Sequence, residues 1–86
     1  MEKQLLKLSD SVIGNFYKVH KHHDHNISLR LTQLGFHEGT LVMLKRKAPI
    51  FNDPFLFQVG ESQIALTKKE AATIEVIEVE GEHFHE

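Results

Sequence analysis

Apolar residues recur along this chain in short bursts separated by turn-forming residues. Leu5, Leu6 and Leu8 lead into Ser9-Asp10-Ser11, a turn cluster. Gly14-Asn15, after Val12-Ile13, marks a second turn. From Phe16 to Lys21, Tyr17 and Val19 alternate with Lys18 and His20, the period of a short strand with one wet face. The polar stretch from His22 to His25 reads as a loop, and Asn26 as the N-cap of a helix starting at Ile27. Ile27, Leu31 and Leu34 fall at i, i+4 and i+7, on one helical face. Gly35 is then the left-handed stop, and Phe36 sits where a Schellman motif places its hydrophobic contact. So short a helix depends on tertiary packing.

His37-Glu38-Gly39 reads as a turn, and Thr40 to Lys47 as a strand. Ala48 to Pro54 is a loop. Phe55, Phe57 and Val59 alternate with Leu56 and Gln58, Gly60-Glu61 reverses the chain, and Gln63 to Leu66 returns as a hairpin arm. Thr67 with Glu70 three residues later is a capping box that starts one helical turn through Ala72. Ile74 to Val79 closes as a strand. These elements predict a mainly β fold of about five short strands with one short α-helix and one short helical turn. A small, partly open barrel is the natural closure, and OB-like and SH3-like barrels both satisfy it.

Length adds one constraint: 86 residues make a single domain. We assign residues 1–79 to it and residues 80–86 to an acidic, histidine-containing tail. The apolar fraction of 41% puts disorder aside as the default. A net charge of −2 disfavours a general nucleic-acid binder. Cysteine is absent, so disulfides, thiolate metal sites and cysteine nucleophiles are excluded. The longest apolar run, Leu41 to Leu44, is far short of the ~20 residues that span a bilayer. The start of the chain has no signal-peptide pattern, so the expected compartment is the cytoplasm. No phosphate loop, nucleophile motif or zinc-hydrolase spacing is present, and we expect no enzyme.

The punctuation also carries a resemblance. Leu31-Thr32-Gln33-Leu34-Gly35-Phe36-His37-Glu38-Gly39 resembles the "L-x-x-L-G-hydrophobic-x-P-G" signature of the FeoA family. Lys45-Arg46-Lys47-Ala48-Pro49 is similar to the family's basic strand exit followed by Ala-Pro, and Asp53-Pro54 to its Gly-Asp-Pro. Ile64 to Ala71 resembles the hairpin-to-helix step "L-A-L-R-K-x-E-A", and Ile74-Glu75-Val76 the closing strand. The resemblance runs in order from Leu5 to Val79. It implies an SH3-like barrel and an accessory role in ferrous-iron uptake beside FeoB, a membrane transporter with a cytosolic GTPase domain. Related barrels end some metal-dependent repressors, which implies an alternative as a protein-interaction module. This sequence departs from the pattern at Glu38, where the family has Pro, at Asn52, where Gly is expected, and at Thr67, which replaces a basic residue. Asn tolerates φ > 0, so the turn at Asn52 can survive.

The remaining chemistry lies in four places. His20, His22, His23, Asp24 and His25 gather imidazole and carboxylate donors within six residues, a candidate weak site for Fe(II), Zn(II) or Ni(II) in a small carrier or sensor. Alternation puts His20 and His22 on one side of the strand. No resident cofactor is required. A second histidine group, His83 and His85, lies in the tail. Pro49, Ile50, Phe51 and Phe55, with Leu31 from the helix groove, form the candidate partner-binding surface, because large apolar groups in a loop mark an interface when exposed. Strand geometry separates Lys45, Arg46 and Lys47, so they form no compact basic patch. Free edges in so small a barrel also leave room for weak self-association.

Overall fold

Alternation in this chain is interrupted twice, and the two interruptions shape the sheet. The computed structural model describes residues 4–79. Six strands form one antiparallel sheet: β1 Leu5–Lys7, β2 Phe16–His22, β3 Leu41–Lys47, β4 Phe55–Val59, β5 Ser62–Leu66 and β6 Ile74–Val79. Their spatial order is β1-β6-β2-β3-β4-β5, so β1 and β5 are edges. Helix α1, His25–Leu34, joins β2 to β3, and the single turn α2, Lys68–Ala71, joins β5 to β6. A 3-10 turn spans Leu8–Asp10. The sequence expectation is one strand short. β1 is only three residues long, too brief for alternation to register, and exists through its pairing of Leu5 to Lys7 with Ile77 to Glu75.

The first interruption is in β2. Val19 pairs with Val76, but the next pair is Lys21 with Glu75, which leaves His20 as an extra residue, a β-bulge. Tyr17 and Val19 are buried, and after the bulge it is His22, paired with buried Ile74, that turns inward. The expectation that His20 and His22 share a face is therefore wrong: the bulge resets the count between them. The second interruption is at Lys45, between the pairs Leu44–Phe57 and Arg46–Leu56. Lys45 and Arg46 are both exposed. Lys47 comes round to the side of its partner Phe55, with Nζ 5.0 Å from the ring centroid, a cation–π contact. The expected strict separation of the three basic residues fails for the same reason. Bulges bend and twist a strand, which curls this open sheet around its core.

Helix α1 starts earlier than expected. Asp24, not Asn26, is the N-cap: its carboxylate accepts from the Asn26 N–H at 2.9 Å. Its end follows expectation. Gly35 has φ 126°, its N–H donates to Thr32 O, and the Phe36 N–H donates to Leu31 O at 3.0 Å. That is the Schellman pair of bonds, and both Leu31 and Phe36 are fully buried. The capping box of α2 forms with both of its bonds, Glu70 N–H to Thr67 Oγ1 and Thr67 N–H to Glu70 Oε1. The core lies inside the curl and is centred on Tyr17, Leu31, Phe36, Leu44, Phe57 and Ile74. Phe36 meets Phe57 edge to face at 5.8 Å between centroids.

Candidate functional site

The loop from Ala48 to Pro54 is a constrained projection. At its base the Ala48 N–H donates to Pro54 O at 2.9 Å. Near its end Asp53 Oδ1 accepts from the Lys68 N–H at 2.8 Å, which also caps α2. Between these anchors Phe51 and Asn52 have φ of 63° and 54°. Asn52 occupies the left-handed region readily, but a bulky residue such as Phe51 is strained there. Phe51 is 88% exposed and Ile50 68%, so neither folds back over the core. Beside them is a surface pocket of about 440 Å³ whose walls include Arg46, Pro49, Pro54, Leu56 and Ala65.

The five residues named for docking therefore divide. Pro49, Ile50 and Phe51 are exposed, whereas Phe55 and Leu31 are core residues at 1% and 0% exposure. Phe55 supports the pocket floor and Leu31 anchors α1; neither presents much side chain to a partner. Other exposed apolar groups escaped sequence reasoning: Val12 and Ile13 in the turn before β2, and Leu29 on α1. Nothing in a short turn or an amphipathic helix tells which apolar residue is left outside.

The histidine segment is not a loop but the end of β2, a two-residue link and the start of α1. Its members have separate occupations. His20 is the exposed bulge residue. His22 is half-buried and donates Nε2–H to Phe36 O at 2.7 Å, and its buried Nδ1 has no partner among the described residues. His23 pairs through Nε2 with Glu75 Oε1 on β6. Asp24 caps α1, and His25 is its exposed first residue. Among the described residues no three His, Asp or Glu side chains are arranged to hold a metal ion, so these donors do not form one preassembled ligand set. His83 and His85 lie outside the described residues.

The His23–Glu75 pair lines a second surface pocket, about 410 Å³, with Leu5, Leu6, Ala72 and Ile74. It is built by β1, the strand that alternation did not register. Glu70 has a shifted acidity. The Thr67 backbone N–H it accepts, helped by Arg30 at 2.8 Å, holds its carboxyl below the usual carboxylate value against the opposing effect of partial burial. Among the described residues no helix is long and apolar enough to cross a membrane.

Comparison with known proteins places this geometry. Residues 6–78 match the FeoA domain family model. The crystal structure of FeoA from Stenotrophomonas maltophilia, a zinc complex described as an SH3 domain protein, is 32% identical over 83% of this chain and 88% of that chain, with a TM-score of 0.73. A FeoA-like protein from Clostridium acetobutylicum is 26% identical, covers 100% of both chains and has a TM-score of 0.80. A manganese-dependent transcriptional repressor shares the fold alone, at 11% identity over 92% of this chain and 44% of that chain, with a TM-score of 0.78. No curated protein matches the chain significantly.

Proposed function

The chain belongs to the FeoA family, with its small SH3-like fold and its link to ferrous-iron transport, and on that premise we propose that it is a non-enzymatic accessory of ferrous-iron uptake. It acts in the cytoplasm by docking on the cytosolic part of a FeoB-like membrane GTPase transporter. Docking changes the transporter's conformation or GTPase cycle only so far as the chain binds one state better than another. The observation that carries this reading is Phe51. A large apolar side chain is held almost fully in water, on strained backbone, by a loop hydrogen-bonded at both ends. Strain kept at an exposed site is expected where the site contacts something. The test is a pull-down from membranes carrying the transporter, at low and moderate salt. Recovery of the transporter by the native chain and its loss with Phe51→Ala supports the reading, and no recovery by the native chain overturns it.

A second reading, a metal carrier or sensor, is favoured by the exposure of His20, His23 and His25 within six residues. Metal uptake there has to release His23 from Glu75 or Asp24 from the α1 cap, so it is weak. Calorimetric titration with Zn(II), Ni(II) and Fe(II) tests it. Heat that is unchanged on replacing these histidines with Ala assigns the binding elsewhere.

A further inference from the structure

β5 presents its outer edge next to the docking-loop pocket, whose wall includes Ala65. β5 returns from β4 through the two-residue turn Gly60-Glu61, in a register running from Val59–Ser62 to Phe55–Leu66. In such a hairpin the closing pair exchanges its backbone bonds, and bonded and non-bonded pairs then alternate. Ser62, Ile64 and Leu66 therefore turn their N–H and C=O groups toward β4, and Gln63 and Ala65 turn theirs away. No strand lies beyond β5 among the described residues. Edge strands are ordinarily guarded by a lysine, a proline, a bulge or brevity. β5 has none of these: Ser62 to Leu66 is five uncharged residues, paired with β4 without a register shift. The opposite edge, β1, is three residues long and ends in Lys7.

We propose that β5 pairs antiparallel with β5 of a second copy of this chain, about a two-fold axis through Ile64. That register sets Gln63 of each copy opposite Ala65 of the other, so the outward backbone groups satisfy one another. Ile64, half-buried against the core, meets its own counterpart in a non-bonded pair, where side chains approach most closely. Charge selects the same direction. Glu61 precedes the strand and Lys68 and Lys69 follow it; all three are exposed, and none makes an ion pair among the described residues. In this register Glu61 falls opposite Thr67 of the second copy, at the start of α2 where Lys68 and Lys69 stand, whereas parallel pairing brings like charges together. One short strand is a small interface, so the dimer is weak and grows with concentration.

The test uses the full chain, by sedimentation velocity and amide hydrogen exchange over micromolar to millimolar concentration. The dimer fraction should rise, with protection gained at the Gln63 and Ala65 amides. Ala65→Pro removes the outward N–H at an edge position where proline is tolerated and should abolish association; Ala65→Lys, at an exposed position, should do the same without constraining the backbone. Glu61→Lys should weaken the dimer several-fold, and adding Lys68→Glu should restore it. A chain that stays monomeric, or association that survives both Ala65 variants, overturns the proposal. Protection at Gln63 and Ala65 that appears only with transporter-bearing membranes also overturns it and assigns the edge to that partner.

Discussion

His22 donates its Nε2–H to the carbonyl oxygen of Phe36, 2.7 Å away, tying the end of β2 to the residue that follows α1. The bond exists because the His20 bulge turns His22 inward and the Schellman turn at Gly35 points the Phe36 carbonyl back at it. His22→Ala removes the bond and strands a carbonyl. It should cost about 1–3 kcal/mol. His22→Gln, which keeps a donor, should cost less. Urea unfolding of the two variants checks the order.

Gly35 and Gly39 both have positive φ, 126° and 89°, but differ in their surroundings. A Cβ on Gly35 meets Val59 Cγ1 at 3.2 Å and Ile64 Cδ1 at 3.8 Å, while one on Gly39 meets nothing within 4 Å. Gly39→Ala should therefore cost only backbone strain, roughly 1 kcal/mol, and Gly35→Ala distinctly more. Thermal unfolding of both variants separates the two contributions.

Glu70 links pH to stability. Its folded pKa is below the ordinary value of 4.5, chiefly through the Thr67 N–H. Its contribution is therefore complete above about pH 4.5 and is lost as pH falls through the lower folded value. Glu70→Gln should lower stability at pH 7 by about 1 kcal/mol or less, and the gap to the native chain should narrow below that window. Denaturation at pH 7 and pH 3 reads the difference.

Phe51 should show opposite effects on stability and on binding. Asn tolerates left-handed backbone, so Phe51→Asn should raise stability by roughly 0.5–1 kcal/mol. The same change should reduce transporter recovery in the pull-down. A variant that loses stability and keeps binding would contradict both expectations.

Local signals in the sequence were enough for most of the fold. The i, i+4, i+7 spacing with Gly35 and Phe36 located α1 and its stop, and Thr67 with Glu70 located α2. What stayed hidden depends on partners distant in sequence. β1 exists only through β6, and the bulges at His20 and Lys45 show only when β2 and β3 are laid against β6 and β4. The histidine segment looked like one cluster because its members are adjacent in sequence. Folding gave His22 a carbonyl in the α1 exit, His23 a carboxylate on β6 and Asp24 a helix terminus. The apolar loop at Ile50 and Phe51 was visible as unusual composition, but its exposure was not.

The bulge at His20 is a change of parity. Counting from Val19 by twos along an unbroken strand would send Lys21 into the core and turn His22 to water. One uncounted residue exchanges those fates: the ammonium stays outside and the imidazole reaches the α1 exit. The single odd step in β2 thus decides the fate of every side chain between it and the helix, and a chain shortened by one residue elsewhere in that strand would have to find another odd step to keep the same interior.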